Sequence, residues 1–481
     1  MNKYVKNYIL SVANTVMMLM FPIITFPYVS RFLGPTNLGI INFAQSYGYY
    51  FNHIASFGIS SYAIREVSKV RDDREKVEKV SNELFNLNLF FSILSTMIYF
   101  CGVFFVQNFR DNFVIFAIYS IVVLSNFLSL DWLLQSFDDY FFSTIRNLVV
   151  RILAVVAVFV LVKRSEDYVI YMIITCITEM GVKVSTLFYG RKHYARLRIR
   201  KRFLNFREHI KAMFTLFSFR LVNGISANLD KLMIGFMMVY ANVGVYSAGV
   251  KFIFLLSPIV ETVGIVLFPK INILANTSLE EYNKSLKVNY DMILLMGIPM
   301  AVGMFLVSGR LIPLFAGTQY ASAVTVTRIM SAIILLGPIG DLLGSKTLLI
   351  FKKDRWLLYS SSIVAVSNLV LNFLFIPLYG INGAAIASLI CYIIMVSTRY
   401  FFARKLVKFS LFSRNLLKYA VFTIPFVVLY EPLRGKIDTS TIWMCIFVAV
   451  CVFVYVIELV ASRDHMVRLV VEKAIKKKNE E

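Results

Sequence analysis

Long apolar runs broken by short polar segments fill almost the whole chain. Fourteen of them reach the roughly 20 residues that a helix needs to cross hydrocarbon. They cover residues 8–29, 38–58, 83–106, 113–134, 141–162, 168–189, 212–238, 242–268, 288–307, 321–345, 356–376, 381–403, 412–430 and 440–461. No alternation of apolar and polar residues marks a barrel strand, so backbone groups in lipid must be satisfied within helices. The pattern predicts an all-α polytopic membrane protein of about fourteen transmembrane helices. The segments between runs are too small to house a separate soluble domain.

Two runs carry polar residues at helical spacing. Span 2 holds Asn42, Gln45, Ser46, Tyr49, Asn52, His53 and Ser56, spaced so that one face is polar. Such a face either lines a wet cavity or hydrogen-bonds to a neighbour, and its length favours the cavity. Span 7 repeats the idea with Arg220, Asn223, Ser226, Asp230 and Lys231. Ionisable residues at membrane depth are costly to bury and usually functional. The basic ones are Arg151, Lys183, Arg220, Lys231, Lys251, Arg328 and Arg399. Lys183 and Arg399 fall near predicted cytoplasmic ends, where snorkelling accounts for them. Arg151, Lys231, Lys251 and Arg328 lie deeper, with Asp230, Glu179 and Glu261 as candidate ion-pair partners. Each deep cation either lines a pathway or serves as a structural counter-charge.

Charge then sets the orientation. Of the 50 lysines and arginines, 36 fall on segments that are cytoplasmic if the N-terminus is inside, or at the cytoplasmic ends of runs (Arg146, Arg414, Lys418), 7 on outer loops and 7 deeper within runs. That imbalance predicts both termini in the cytoplasm of a multi-pass membrane protein. A net charge of +22 would suggest nucleic acid in a soluble chain. Here it marks loops that face anionic lipid, and no nucleic-acid partner is expected. The composition, 58% hydrophobic and 16% charged, exceeds what a water-soluble core can hide. The five cysteines all fall in apolar runs without a CxxC pair, and read as small core hydrophobes rather than disulfide or metal sites. Lys3 and Lys6 precede a first run with no small-residue cleavage site, so that run is expected to remain as span 1.

An internal repeat organises the spans. Asn37-Leu-Gly-Ile-Ile-Asn-Phe-Ala opens span 2 and Asn242-Val-Gly-Val-Tyr-Ser-Ala-Gly opens span 8, an offset of 205. A third echo, Gly380-Ile-Asn-Gly-Ala-Ala-Ile-Ala, opens span 12. The offset predicts an N-terminal six-helix bundle (1–189), a basic cytoplasmic linker (190–211), a second six-helix bundle (212–403) and a C-terminal helix pair with a basic tail (404–481). An even repeat relates the halves by an axis along the membrane normal, with a substrate path between them. The linker, with Arg191, Lys192, Arg196 and Arg198 among its basic residues, reads first as a topology anchor and second as an attractor for anionic headgroups.

Enzyme chemistry finds little support. Of His53, His193, His209 and His465, only His53 lies in a run, and no Gly-rich loop ends in Lys-Ser/Thr. No catalytic set, metal or cofactor is expected, which weighs against a membrane enzyme of glycan assembly.

Phe26-Pro-Tyr-Val-Ser-Arg-Phe-Leu-Gly-Pro-Thr-Asn-Leu-Gly-Ile-Ile-Asn-Phe-Ala-Gln-Ser and Tyr62-Ala-Ile-Arg-Glu-Val-Ser resemble the first spans of the Wzx-type flippases of O-antigen and capsule repeat units. Asn228-Leu-Asp-Lys-Leu-Met-Ile-Gly is similar to their span 7, where the family often has Asp-Arg; Lys231 keeps the charge but not the guanidinium fork. Leu311-Ile-Pro-Leu-Phe-Ala-Gly and Ile376-Pro-Leu-Tyr-Gly are similar to later segments. The family sits in the multidrug/oligosaccharidyl-lipid/polysaccharide exporter superfamily. The resemblance implies a V-shaped pair of bundles around a cationic cavity. It implies movement of an undecaprenyl-diphosphate-linked oligosaccharide to the outer leaflet of a bacterial membrane, with polymerase and glycosyltransferases of the pathway as partners. Under it, Arg31, Arg151, Lys231, Lys251 and Arg328 become contacts for diphosphate or acidic sugars. Asp230 joins them as a substrate-binding residue, its pairing with Lys231 being the structural alternative, and Asn42, Gln45, Asn52 and His53 form the polar wall. The alternative is a cation-coupled multidrug exporter of the same superfamily, which should place unpaired carboxylates in its cavity.

Overall fold

The computed structural model describes residues 3–199 and 206–466. All regular structure among the described residues is helical, and the chain divides into two units, Met1–Gly244 and Val245–Glu481.

The first unit opens with α1 (Lys3–Ser56) and α2 (Ile59–Lys69). At 54 residues α1 is about 80 Å long, far more than the ~30 Å of hydrocarbon. It is broken at Gly34, whose φ of 73° and ψ of 172° only glycine adopts readily. That break falls in the predicted gap between spans 1 and 2. The unit continues with α3 (Arg74–Phe105), α4 (Gln107–Arg110), α5 (Phe113–Leu124), α6 (Asp131–Ser136), α7 (Tyr140–Leu161), α8 (Tyr168–His193), α9 (Phe206–Met237) and the first turn of α10 (Tyr240–Thr277). Asp73 starts α3 by accepting the Glu75 and Lys76 N–H groups at 3.1 and 3.2 Å. Asp139 starts α7 and also accepts the Tyr189 and Tyr194 hydroxyls at 2.8 and 2.7 Å, tying α7 to the end of α8.

One end of this unit is a compact apolar core under α2, built from Ile59, Tyr62, Val67, Leu84, Trp132 and their neighbours. Part of the basic linker belongs to it. Ala195 and Leu197 are buried while Arg196 and Arg198 point out, the alternation of an extended strap. Asn82 and Asn86, one turn apart on α3, hold that strap. The Asn82 amide donates to Arg196 O (3.0 Å) and accepts from Arg198 N–H (2.6 Å), and the Asn86 amide donates to Arg198 O (3.0 Å).

The repeat glycines have a steric reason. A Cβ on Gly39 would stand 1.8 Å from Tyr240 O, and one on Gly244 would stand 2.1 Å from Pro35 O. Backbone meets backbone at both points, as small residues allow between membrane helices. The pairs 39–240 and 244–35 exchange under the offset of 205.

The second unit holds the rest of α10, then α11 (Leu279–Ala316), α12 (Ala323–Met330), α13 (Ile333–Leu343), a π turn (Gly344–Leu349), α14 (Asp354–Ala403), α15 (Arg414–Val421), α16 (Ile424–Thr439) and α17 (Thr441–Ala461). α14 breaks at Gly380 (φ 60°, ψ −138°), between the predicted spans 11 and 12, and a Cβ on Gly383 would meet Phe375 O at 2.0 Å. Spans 4 and 10, continuous in the hydropathy pattern, are interrupted: span 4 by a 3-10 turn (Ser125–Leu128) and span 10 between Met330 and Ile333.

Among the described residues, ten helical segments have the length and apolarity to cross a bilayer, α14 being one of them. The chain is an all-α, multi-pass membrane protein. Its surfaces agree: α7 exposes Ile145, Val149, Ile152, Leu153, Val156 and Val160, an apolar face suited to lipid and not to water. Cys176, Cys391 and Cys451 are buried as expected, but Cys101 and Cys445 are exposed on such faces.

Candidate functional site

Inside the first unit, four helices turn polar faces toward one another around a cavity of about 450 Å³. α1 supplies Asn42, Gln45, Ser46, Tyr49 and Asn52 from one side of the helix. α8 supplies Thr175, Glu179 and Lys183, each four residues from the last and therefore stacked on one face. Tyr119, Val122 and Asn126 come from α5 and the turn after it, and Asn228 and Lys231 from α9. The 3-10 turn that interrupts span 4 is what brings Asn126 to the wall.

Hydrogen bonds stitch the wall together. The Asn52 amide donates to the Tyr119 hydroxyl at 3.4 Å, and the Asn126 amide reaches Asn52 at 3.5 Å. Lys231 Nζ donates to Asn228 Oδ1 at 3.3 Å. Lys183 is buried, and its Nζ donates to Val122 O (2.9 Å) and Ser125 Oγ (3.2 Å), near the end of α5. The wall thus carries two ammonium groups, one carboxylate from Glu179, and a set of amides and hydroxyls that both donate and accept. Such a lining suits a polar, hydroxyl-rich ligand bearing negative charge.

Four of the ten expected residues line this cavity: Asn42, Gln45, Asn52 and Lys231. His53 lies one turn beyond, with its ring edge-on to Tyr49 at 4.5 Å. Asp230 is buried beside Lys231 but is not in the wall. Arg151 stacks its guanidinium over the Phe21 ring at 5.4 Å, and Arg31 is exposed near the α1 break. Lys251 and Arg328 belong to the second unit, Arg328 in a separate cavity. Arg220, Asn223 and Ser226 of the span 7 stripe have side chains outside the described residues.

Two snorkelling assignments are corrected. Lys183 turns inward to α5, and Arg399 donates from Nη1 to Gly340 O at 2.8 Å inside the second unit. Arg146, near the start of run 141–162 and counted with the cytoplasmic charges, is buried too: it pairs with Asp131 at 2.9 Å and bonds to Thr186 and Asn147. Tyr119, Asn126, Thr175 and Asn228 were missed as wall residues, while Glu179 and Lys183 were read only as a counter-ion and a snorkelling charge. The i, i+4, i+8 spacing of Thr175, Glu179 and Lys183 was the available signal.

Residues 4–275 match the family described as polysaccharide biosynthesis protein. The protein named "Putative O-antigen transporter" of Escherichia coli (strain K12) is 20% identical over 387 residues, covering 80% of this chain and 92% of that one. The lipid II flippase MurJ, in an inward closed conformation, superposes with a TM-score of 0.78 at 17% identity, covering 95% of this chain and 99% of its own. An inward-facing multidrug resistance MATE family transporter of the MOP superfamily superposes with a TM-score of 0.60 at 13% identity, covering 80% and 93%. At these identities the solved structures establish a shared fold, and the resemblance read from spans 1, 2 and 7 is borne out. With more than half of its length matched, the chain belongs to the polysaccharide biosynthesis protein family.

Proposed function

We propose that this protein is a flippase that carries an undecaprenyl-diphosphate-linked oligosaccharide repeat unit across the bacterial cytoplasmic membrane by alternating access. The reading includes fourteen spans in two six-helix bundles plus a helix pair, with both termini cytoplasmic. The observation that carries it is the amide- and hydroxyl-lined cavity of the first unit with Lys183 and Lys231 in its wall. The diphosphate and sugars must leave water to cross, while the lipid tail stays in hydrocarbon. Ammonium groups held in a medium of low dielectric attract an anion far more strongly than they would in water. Amides replace the water that the sugar hydroxyls lose.

The test is complementation of a strain lacking its own repeat-unit flippase, with surface glycan measured against protein level in the membrane. Lys183→Met and Lys231→Ala should each lower surface glycan by at least about tenfold at normal protein level, the worth of one charge-assisted hydrogen bond. Lys231→Arg should transport, since the charge is kept. Normal glycan in both neutral variants would overturn the assignment. Glu179 in this wall, with the shared fold of the MATE transporter, favours the second reading, a cation-coupled drug exporter. In that case Glu179→Gln would abolish drug efflux from the same cells while the two lysine variants leave it intact.

A further inference from the structure

The second unit contains a cavity of about 380 Å³ between α11, the α12–α13 junction and α16. Helix directions order its wall. Ser308 meets Arg328 and Gly297 meets Leu335, so α11 and α12–α13 run antiparallel. Gly309 meets Asp438 at the level of Ser308, while Ala301 and Val302 share the wall with Val427, so α16 runs parallel to α11. One consequence follows for polarity. Arg328, Glu431 and Arg434 gather at one end of the cavity, and Val302, Ala332 and Val427 line the other. Phe305 and Val427 are both exposed, so the apolar part opens sideways from the helices.

The charged end is partly organised already. Arg328 donates from Nε to Ser308 Oγ at 3.2 Å and lies 5.7 Å over the Phe305 ring. Arg434 is 3.7 Å from Asp438, with its side chain 57% exposed. Glu431 stands three residues before Arg434 on α16, within the same wall. An apolar slot ending in two guanidinium groups and the Glu431 carboxylate, with Asp438 paired to Arg434 beside them, fits an amphiphile whose head carries both signs of charge.

We propose that this cavity holds a phospholipid whose headgroup bears a phosphate and a primary ammonium. The phosphate bridges Arg328 and Arg434, the ammonium donates to Glu431, and an acyl chain lies along Phe305, Val302 and Val427. Guanidinium groups favour phosphate oxygens in the plane of their fork. A headgroup with negative charge alone would meet the same arginines but leave Glu431 facing a like charge. This site is independent of the cavity in the first unit.

The test is native mass spectrometry of the full chain in a non-ionic detergent, with phosphatidylethanolamine and phosphatidylglycerol added in equal amounts. The wild type should retain phosphatidylethanolamine roughly tenfold better, one charge-assisted contact's worth. Glu431→Gln should erase that preference by weakening phosphatidylethanolamine alone, and the pair Arg328→Gln, Arg434→Gln should lose both lipids. Glu431→Gln and Arg434→Gln alter exposed side chains, so the fold is retained if the larger change is not tolerated. Equal retention by the wild type, a preference for phosphatidylglycerol, or an unchanged preference in Glu431→Gln would each overturn the proposal. Displacement of phosphatidylethanolamine by undecaprenyl phosphate at lower concentration would also overturn it, assigning the slot to a carrier lipid.

Discussion

Lys183 and Asp464 are both buried charges held in different ways. Lys183 donates to neutral oxygens on a neighbouring helix and shares the cavity wall with Glu179. Depth along the run could not reveal this, because a lysine near a helix end snorkels or turns inward according to what the next helix offers, here Val122 O. The face of Asn42, Gln45 and Asn52 was legible because the helical period alone sets it. Asp464, just past α17, is instead met by opposite charge: Lys418 Nζ at 2.5 Å, with the Tyr419 hydroxyl and the Met466 N–H also donating. Burial pushes its carboxyl up, but the Lys418 ammonium and these donors outweigh it and hold it below the usual carboxylate range. A carboxyl depressed in the folded state contributes stability at pH values above its unfolded value, about 4, and that contribution fades as pH falls through the folded value. The melting temperature in detergent should therefore be insensitive to this pair between neutral pH and about 5, and drop below about 4. Lys418→Met should cost roughly 2–3 kcal/mol at pH 7, because Asp464 stays buried without its cation. A variant with the wild-type melting temperature at pH 7 would refute this account.

Among the elements, the strap at 194–199 departs most from its sequence reading. A run of arginines and lysines suggests solvated charge, yet the smaller residues between them decide the structure. Ala195 and Leu197 enter the core, and Asn82 and Asn86 take the strap's backbone groups as a strand partner would. The two asparagines looked like ordinary polar residues near a helix start, because their partners lie more than 110 positions away. Helix breaks at Gly34 and Gly380 were legible, since glycine beside proline or ahead of small residues marks a turn. Breaks in spans 4 and 10 were not, because no glycine or proline signals Ser125–Leu128. Replacing Asn82 and Asn86 together by Ala should loosen the strap while leaving α3 intact. Limited trypsin digestion should then cut after Arg196 and Arg198 about a hundredfold faster, since three hydrogen bonds worth about 1 kcal/mol each are lost. Unchanged cutting at those two bonds would mean that Ala195 and Leu197 suffice to hold it.

At the scale of the whole molecule, an apolar exterior and polar interior faces follow from hydropathy and periodicity, which is why membrane class was readable at once. Orientation is the property that rests on charge counting alone. Lys163 lies in the turn between α7 and α8, and Arg196 follows α8, whose 26 residues span about 39 Å. Single cysteines placed at these two positions should be labelled from opposite sides of the membrane, Lys163→Cys from outside. Labelling of both from one side would remove the proposed topology. The glycine contacts of α1 and α10 have a symmetry of their own. Residue 39 meets 240 as 244 meets 35, so the surface is isologous, each patch complementary to its own copy. A contact of that kind is what two identical chains make across a dyad, here made between two helices of one chain. Both glycines therefore face a backbone carbonyl of the other helix, which cannot move aside as a flexible side chain would. Gly39→Ala and Gly244→Ala should each destabilise by roughly 1–3 kcal/mol, as overpacking does. The double variant should cost less than the sum, because helices already pushed apart by one methyl group have room for the second.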